Sequence, residues 1–249
     1  MALAPQTSEG EPSRGLGLPR DEEKRSQVRA MFDRIAPRYD AMNRLMTAGL
    51  DQRWRGAALD AVGTGVGDRV LDLACGTGDL AELAAARGAK VVGVDFAREM
   101  LRGAMQRRIP ALWIQGDGAA LPLPDAYASV ISCGFALRNF ASLPEVLGEM
   151  ARLLESGGRL ALLEVDRPSL AVVRAAHSLY FDRFVPRIGG WLSDRAAYSY
   201  LPRSTAYLPD APELAALIAD AGFREVRRRP LLLGSAQIIT AIRADREAT

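Results

Sequence analysis

Cysteine, histidine and lysine are scarce in this 249-residue sequence. It contains two cysteines, Cys75 and Cys133, and one histidine, His177, too few for a disulfide framework or for a zinc site without carboxylates. We therefore expect no metal, a reducing cytoplasmic setting, and both cysteines as small buried residues. Lys24 and Lys90 are the only lysines among 32 cationic residues, which stand against 30 acidic ones. A net charge of +2 gives no indication of nucleic acid as a partner.

Long apolar runs are also missing. Residues 1–20 contain no apolar stretch of signal-peptide length, and no later segment approaches about 18 consecutive apolar residues. Pro, Gly, Ser and Glu dominate the same first twenty residues, so we expect a disordered tail there. These absences predict a cytoplasmic protein that is soluble, or at most peripheral at the inner face of a membrane.

Hydrophobic periodicity predicts a helical cap followed by an α/β domain. Val28, Met31, Phe32 and Ile35 have helical spacing, so residues 21–64 are expected to form two or three short helices as a cap. Short β-branched runs, separated by helical stretches, then indicate a doubly wound parallel sheet within 65–245. These predicted strands lie at 69–74, 90–95, 111–115, 127–133 and 159–165, and two closing strands meet near Gly234.

Two helices of this domain carry capping signatures. Ser142 and Glu145 form a capping box, and the helical pattern after them is expected to run to Gly157 and Gly158. A second helix starts at Asp210. The aromatic-rich stretch 168–209 does not fit the alternation of strands and helices, so we expect an insertion or lid over the carboxyl edge of the sheet.

The glycine loop after the first predicted strand is the most informative segment. Gly76–Gly78 leads into a helix and Asp95 ends the next strand, a pattern also found in dinucleotide sites. Asp79, at the start of that helix, would repel a pyrophosphate, whereas Asp72 and Asp79 suit the sulfonium and ammonium of S-adenosylmethionine. Two other interpretations stay open: Asp79 as an N-cap carboxylate, and Asp72 as a partnered strand residue.

Four residues are expected around the nucleoside of this cofactor. Asp95 would accept the two ribose hydroxyls, and Asp117, just after the third strand, is placed to accept from the adenine amino group. Phe96 and Met100 either contact the adenine or pack in the core.

Several further segments resemble the ubiquinone/menaquinone biosynthesis methyltransferase family. They are MFDRIAPRYDAMNRLMTAGLDQRWR at 31–55, the glycine loop at 70–85, GFALRNFASLPEVLGEMARLLESGGRLALLEV at 134–165, and the later VPRIGGWLS, YSYLPRST and AGFREV. The resemblance implies a Rossmann-like class I methyltransferase fold, whose mostly parallel sheet has an antiparallel C-terminal strand. It also implies S-adenosylmethionine-dependent methylation of a ring carbon of a prenylated quinol, a demethylmenaquinol or a ubiquinol precursor. The cofactor contacts it implies are Thr77, Asp95, Asp117, Gly118 and Gly134, the last through its backbone.

Methylation of a ring carbon calls for an ionised phenol, because the phenolate makes its ortho carbon nucleophilic. Arg138, at the end of the fourth strand, is predicted to stabilise that phenolate, and Asn139 to orient the ring oxygen. The proton would leave through a water or to Tyr39, Asp40 or Asp33 in the cap. Alternatively, Arg138 only bridges a surface carboxylate, and Tyr39 and Asp40 are packing and capping residues.

Two other functions stay open. One is methylation of oxygen, nitrogen or carbon on a soluble specialised metabolite; the other is a nucleotide-binding module or NAD(P)-dependent oxidoreductase. For a lipophilic quinol, the aromatic segment 177–207 would cover the substrate and rest on a membrane, although ordinary lid packing explains the same residues. The sequence chooses neither benzoquinol nor naphthoquinol, and a homodimer is compatible with it without being demonstrated.

Overall fold

A computed structural model of the protein describes residues 21–166 and 204–245. The predicted tail at 1–20 and residues 168–203 of the predicted insertion lie outside these described residues. The described part opens with helices α1 (Asp21–Ile35), α2 (Tyr39–Thr47) and α3 (Leu50–Ala61), with a 3-10 turn (Ala36–Arg38) after α1. Val28, Met31 and Ile35 of α1 are buried, as their helical spacing predicts.

Seven strands form one sheet in the order β3-β2-β1-β4-β5-β7-β6. They are β1 (Arg69–Leu73), β2 (Lys90–Asp95), β3 (Ala111–Gln115), β4 (Ala128–Gly134), β5 (Leu154–Val165), β6 (Phe223–Leu231) and β7 (Ala236–Arg243). The first five pair in parallel, and β7 runs antiparallel to both of its neighbours. The predicted mostly parallel sheet with an antiparallel C-terminal strand is confirmed.

Within residues 21–166 and 204–245, four helices accompany the strands: α4 (Asp79–Ala86), α5 (Arg98–Gln106), α6 (Leu143–Leu153) and α7 (Ala211–Asp220). The two predicted capping residues do start helices. Ser142 accepts a hydrogen bond from the amide of Glu145 at 3.4 Å, and Asp210 accepts one from the amide of Glu213 at 2.9 Å. Within the described ranges, no helix combines the length and apolar content needed to cross a bilayer.

The predicted end of α6 is wrong. The helix ends at Leu153, and β5 begins with the next residue, so Gly157 and Gly158 lie inside a strand. The pairing of β5 with β4 jumps from Ala128–Leu154 to Val130–Arg159. The two glycines therefore form part of a bulge. Gly157 has a φ of +74° there, which glycine adopts without strain.

Alternating residues of the central strands contribute to two apolar layers. Leu71 and Ile131 pack on one face of the sheet with α6 and α7, whereas Val70 and Val130 pack on the other with α3 and α4. Leu59 of α3 is fully buried in the second layer. The boundary between cap and domain at residues 64 and 65 stays a prediction, but α3 is part of the core.

Candidate active site

A cavity lies at the carboxyl ends of β1, β2 and β4, the edge at which doubly wound sheets bind ligands. The space between its lining side chains measures about 780 Å³, part of it open to solvent. Arg25 and Phe32 of α1 line it on one side. Nine residues predicted from the sequence also line it: Tyr39, Gly76, Asp95, Phe96, Met100, Asp117, Gly118, Gly134 and Asn139.

Asp95, at the end of β2, joins the glycine loop to the start of α5. One carboxylate oxygen accepts from the amide of Gly76 and the other from the amide of Ala97, each at 2.8 Å. Burial raises the pKa of Asp95 to about 6, although the two amides lower it. An ionised carboxylate has about four acceptor positions, so Asp95 can still accept from the hydroxyls of a ribose.

We expect the affinity for S-adenosylhomocysteine to fall about tenfold when the pH is lowered from ~7.5 to ~5. The ribose hydroxyls donate to the ionised form of Asp95, whose pKa of about 6 makes the protonated form dominant at the lower pH. The ligand's own amino and carboxyl groups do not titrate in this interval. Calorimetric titration at both pH values measures the change.

The matched control for this titration is Asp95→Asn, which should bind weakly with the same affinity at both pH values. Asp72 is the other acid to consider, because burial raises its pKa to about 7. It does not line the cavity. If the affinity of Asp95→Asn for S-adenosylhomocysteine still fell at the lower pH, the pH dependence would belong to another group.

Gly76 and Gly78 let the loop after β1 turn back toward the sheet. Both have positive φ, +55° and +89°, and a Cβ on Gly78 would lie 2.9 Å from neighbouring side-chain atoms. Thr77 and Gly78 are not among the residues that line the cavity. The Thr77 hydroxyl donates instead to Asp40 of α2. A direct cofactor contact by Thr77 or Gly78 stays a prediction.

Asp72 is fully buried inside the sheet and does not line the cavity, so a cofactor contact by Asp72 stays a prediction. Its carboxylate accepts from the Ser132 hydroxyl at 2.8 Å and from the amide of Ala81 at 3.1 Å. Ala81 lies in the first turn of α4, whose N-cap Gly78 has no side chain, so Asp72 supplies the missing acceptor. The side chains of Asp72 and Val70 point to the same face of the sheet, which α4 covers. The Asp72 side chain therefore points away from the cavity.

Asp79 is surrounded by arginines, so the structure gives no support to the charge argument based on it. Asp79 binds Arg44 at 3.0 Å, Arg107 at 2.7 Å and Gln52 at 2.9 Å, and Arg55 lies 3.6 Å away. Burial would raise the pKa of Asp79, but the arginines around it lower it to about 2. Because the three guanidinium groups balance its charge and it does not line the cavity, Asp79 offers no negative field to a sulfonium. It connects the cap helices to α4.

Only Tyr39 of the three predicted proton acceptors lines the cavity. Burial raises the pKa of its phenol, so the group is protonated at neutral pH and donates a hydrogen bond rather than accepting a proton. Asp40 accepts from the Thr77 hydroxyl, and Asp33 accepts from the amide of Glu99 in the first turn of α5 at 3.0 Å. Both carboxylates thus bind protein groups around the cavity.

Arg138 forms an ion pair with the fully buried Glu164 at the end of β5. It also donates to the hydroxyl of Ser204 at 3.1 Å and to the carbonyl of Phe135 at 2.8 Å, and it does not line the cavity. The alternative of a surface carboxylate is therefore wrong, because its partner is buried. Since Glu164 balances its charge, stabilisation of a phenolate by Arg138 stays a prediction that the structure does not support. Asn139 does line the cavity and donates to the same carbonyl at 3.4 Å.

Sequence reasoning missed two residues of α1. Arg25 lines the cavity, and its guanidinium lies 3.5 Å from the carboxylate of Asp117. Lys24 is only 4% exposed, donates to the carbonyl of Phe140 at 2.5 Å, and lies 3.7 Å from the ring centre of Tyr207. A lysine retained in a chain that otherwise uses arginine was the available signal. Both cysteines are buried, as predicted.

The strand order, the glycine loop after β1 and the carboxylate at the end of β2 define a class I methyltransferase. A solved structure of a SAM-dependent methyltransferase from Thermotoga maritima has the same fold, with a TM-score of 0.62 at 18% identity. The alignment covers 86% of this chain and 99% of that one. Residues 20–243 match the model of the ubiE/COQ5 methyltransferase family, and the chain belongs to that family.

Two curated relatives are similar to this chain over most of its length. A demethylmenaquinone methyltransferase from Thermus thermophilus is 43% identical over 215 residues, which are 84% of this chain and 97% of that protein. A ubiquinone/menaquinone biosynthesis C-methyltransferase from Syntrophotalea carbinolica is 40% identical over 223 residues, 87% of this chain and 94% of that protein. The protein is therefore a methyltransferase enzyme.

Proposed function

We propose that the protein transfers a methyl group from S-adenosylmethionine to a ring carbon of a prenylated quinol, with demethylmenaquinol as the first candidate. The observation that carries the proposal is one continuous cavity with two kinds of lining. Carboxylates such as Asp95 and Asp117 line it together with apolar rings such as Phe32 and Phe140. The relatives' quinone substrates support the choice of ring.

The residues of the cavity fit the methyl donor. We propose that Asp95 accepts its ribose hydroxyls, that Phe96 and Met100 flank its adenine, and that Asp117 accepts from the adenine amino group. Gly118 suits this place because a Cβ there would lie 3.1 Å from the Phe140 ring, a close contact that glycine avoids. When bound, S-adenosylmethionine supplies an electrophilic methyl group.

Tyr39 and Asn139 are the neutral polar side chains that we place beside the quinol oxygen. The Tyr39 ring packs 3.8 Å from the position of a Cβ on Gly76, which brings its phenol close to the cofactor loop. A protonated phenol can donate to the ring oxygen as the quinol loses its proton to water. Transfer of the methyl group to the ring carbon would leave S-adenosylhomocysteine, and the ring proton would pass to water, which restores the aromatic ring. Arg138 acts here as a positioning residue through the Phe135 carbonyl.

The test is a methylation assay with reduced demethylmenaquinone and labelled S-adenosylmethionine. We expect the label on a ring carbon, located by NMR, and we expect Tyr39→Phe to lower the rate about tenfold with unchanged affinity for S-adenosylhomocysteine. Faster methylation of a non-prenylated phenol would favour a soluble substrate instead. Label on oxygen, or binding of NADH in place of S-adenosylhomocysteine, would contradict the proposal.

A further inference from the structure

The turn between β6 and β7 carries two leucines that belong to none of the buried clusters in the described part of the chain. Leu232 is 54% exposed and Leu233 is 69% exposed. Both have positive φ, +42° and +53°, a conformation that glycine or asparagine adopts more readily than leucine. The chain thus keeps two large apolar side chains where both hydration and backbone geometry favour a small or polar residue. Such an outlier points to a role outside the fold.

The turn lies at the carboxyl ends of the parallel strands, the end of the sheet at which the cavity also lies. Ala236, the first residue of β7, pairs with Val165, the last residue of β5, and Leu231 ends β6 opposite Ala236. Since β5 is parallel to β4, the turn lies at the carboxyl edge. β7 is two strand positions from β4, which is about 10 Å across the sheet.

Arginines accompany the leucines along β6. Residues 224–233 contain four arginines and one glutamate. The side chain of Arg227 is 77% exposed and forms an exposed ion pair with Glu225 at 3.0 Å, and Arg229 is exposed on the same strand face. Arg228 is paired with Asp166 and with Gln237. Arginines on an edge strand also prevent pairing with other sheets, but that role needs no exposed leucines at the turn.

We propose that this turn, Leu232–Leu233 together with Arg227 and Arg229, docks the protein on an anionic lipid bilayer. The leucines enter the boundary of the acyl chains, and the arginines bind the phosphates of the headgroups. The inference rests on the proposed function, because a prenylated quinol resides in the bilayer. Docking at this turn would bring the carboxyl ends of the strands, where the cavity lies, close to the bilayer that holds the substrate.

Vesicle flotation tests the docking. The wild-type chain is expected to float with phosphatidylcholine vesicles that contain phosphatidylglycerol, and the double variant Leu232→Asn/Leu233→Asn to lose about tenfold or more of that partitioning. Asparagine tolerates positive φ, so the fold is kept, which thermal unfolding checks. Leu112→Asn, at a leucine that is 68% exposed on β3 at the opposite sheet edge, is the matched control and should float as wild type does. Arg227→Gln/Arg229→Gln should lose only the preference for anionic vesicles.

A second measurement separates docking from chemistry. The leucine variant should methylate a short-chain quinol in solution as wild type does, but a long-chain quinol in vesicles more slowly. The docking proposal is overturned if the wild-type chain does not float with anionic vesicles. It is also overturned if the leucine variant floats as well as wild type does. A change of sedimentation coefficient in the leucine variant with unchanged flotation would instead assign the turn to a contact between two copies. Flotation without methylation of any quinol would leave the docking in place and refute the proposed function.

Discussion

Asp95→Ala is expected to weaken the binding of S-adenosylhomocysteine about 100-fold. Two hydroxyl donors on one ionised carboxylate contribute about 1.5 kcal/mol each, and both are lost together. The substitution also removes the acceptor that fixes the Gly76 amide, so the glycine loop loses a support before any ligand arrives. Calorimetric titration near neutral pH, where Asp95 is ionised, gives the loss directly.

Asp117→Ala is the matched control for that measurement. The Asp117 side chain is 46% exposed and already accepts from the amide of Ala119 at 3.0 Å. We therefore expect only about a fivefold loss of affinity, since an exposed polar contact competes with water. Equal losses in the two variants would show that the ribose is not bound at the end of β2.

Arg138→Met is expected to lower the free energy of unfolding by about 4 kcal/mol. The reason is Glu164, which would remain as an unpaired carboxylate in a fully buried position. The double variant Arg138→Met/Glu164→Met removes both charges and should lose only about 1 to 2 kcal/mol, because apolar side chains of similar volume replace the pair. Urea unfolding of the two variants measures the difference.

Methylation rates of the same variants decide what Arg138 does. If it only positions the turn at Phe135, the stable double variant should keep its rate within about tenfold of wild type. A loss of about 100-fold in that variant with unchanged affinity for S-adenosylhomocysteine would restore the role of phenolate stabiliser that the sequence predicts. A double variant as unstable as the single one would show that the two charges are not coupled.

The fold was largely predictable because its signals are local. Lys90–Asp95 and Ala111–Gln115 are strands with the bounds that their apolar runs predict, and two capping residues mark helix starts. The end of α6 was not predictable in this way. A glycine pair stops a helix in most sequences, whereas here it forms a bulge whose cause is the register of a neighbouring strand.

The site was predictable where a residue's position on the sheet decides its role. Asp95 and Gly118 follow strands whose carboxyl ends must meet, so they line the cavity. Charges were not predictable, because their partners are remote in sequence. Arg44 lies 35 residues from Asp79, and Glu164 lies 26 residues from Arg138. A carboxylate or guanidinium that looks available in the sequence is neutralised once the chain folds.

The contribution of α1 to the cavity has a consequence for how the chain can be divided. Lys24 and Arg25 tie α1 to the segments around Phe140 and Asp117, so one wall of the reaction chamber precedes the first strand by more than forty residues. A fragment starting at β1 would retain the seven described strands and the glycine loop, yet it would lose this wall and leave the cavity open to bulk water. The catalytic unit is therefore larger than the Rossmann-like domain, and the helical segment before it is an integral part of the enzyme.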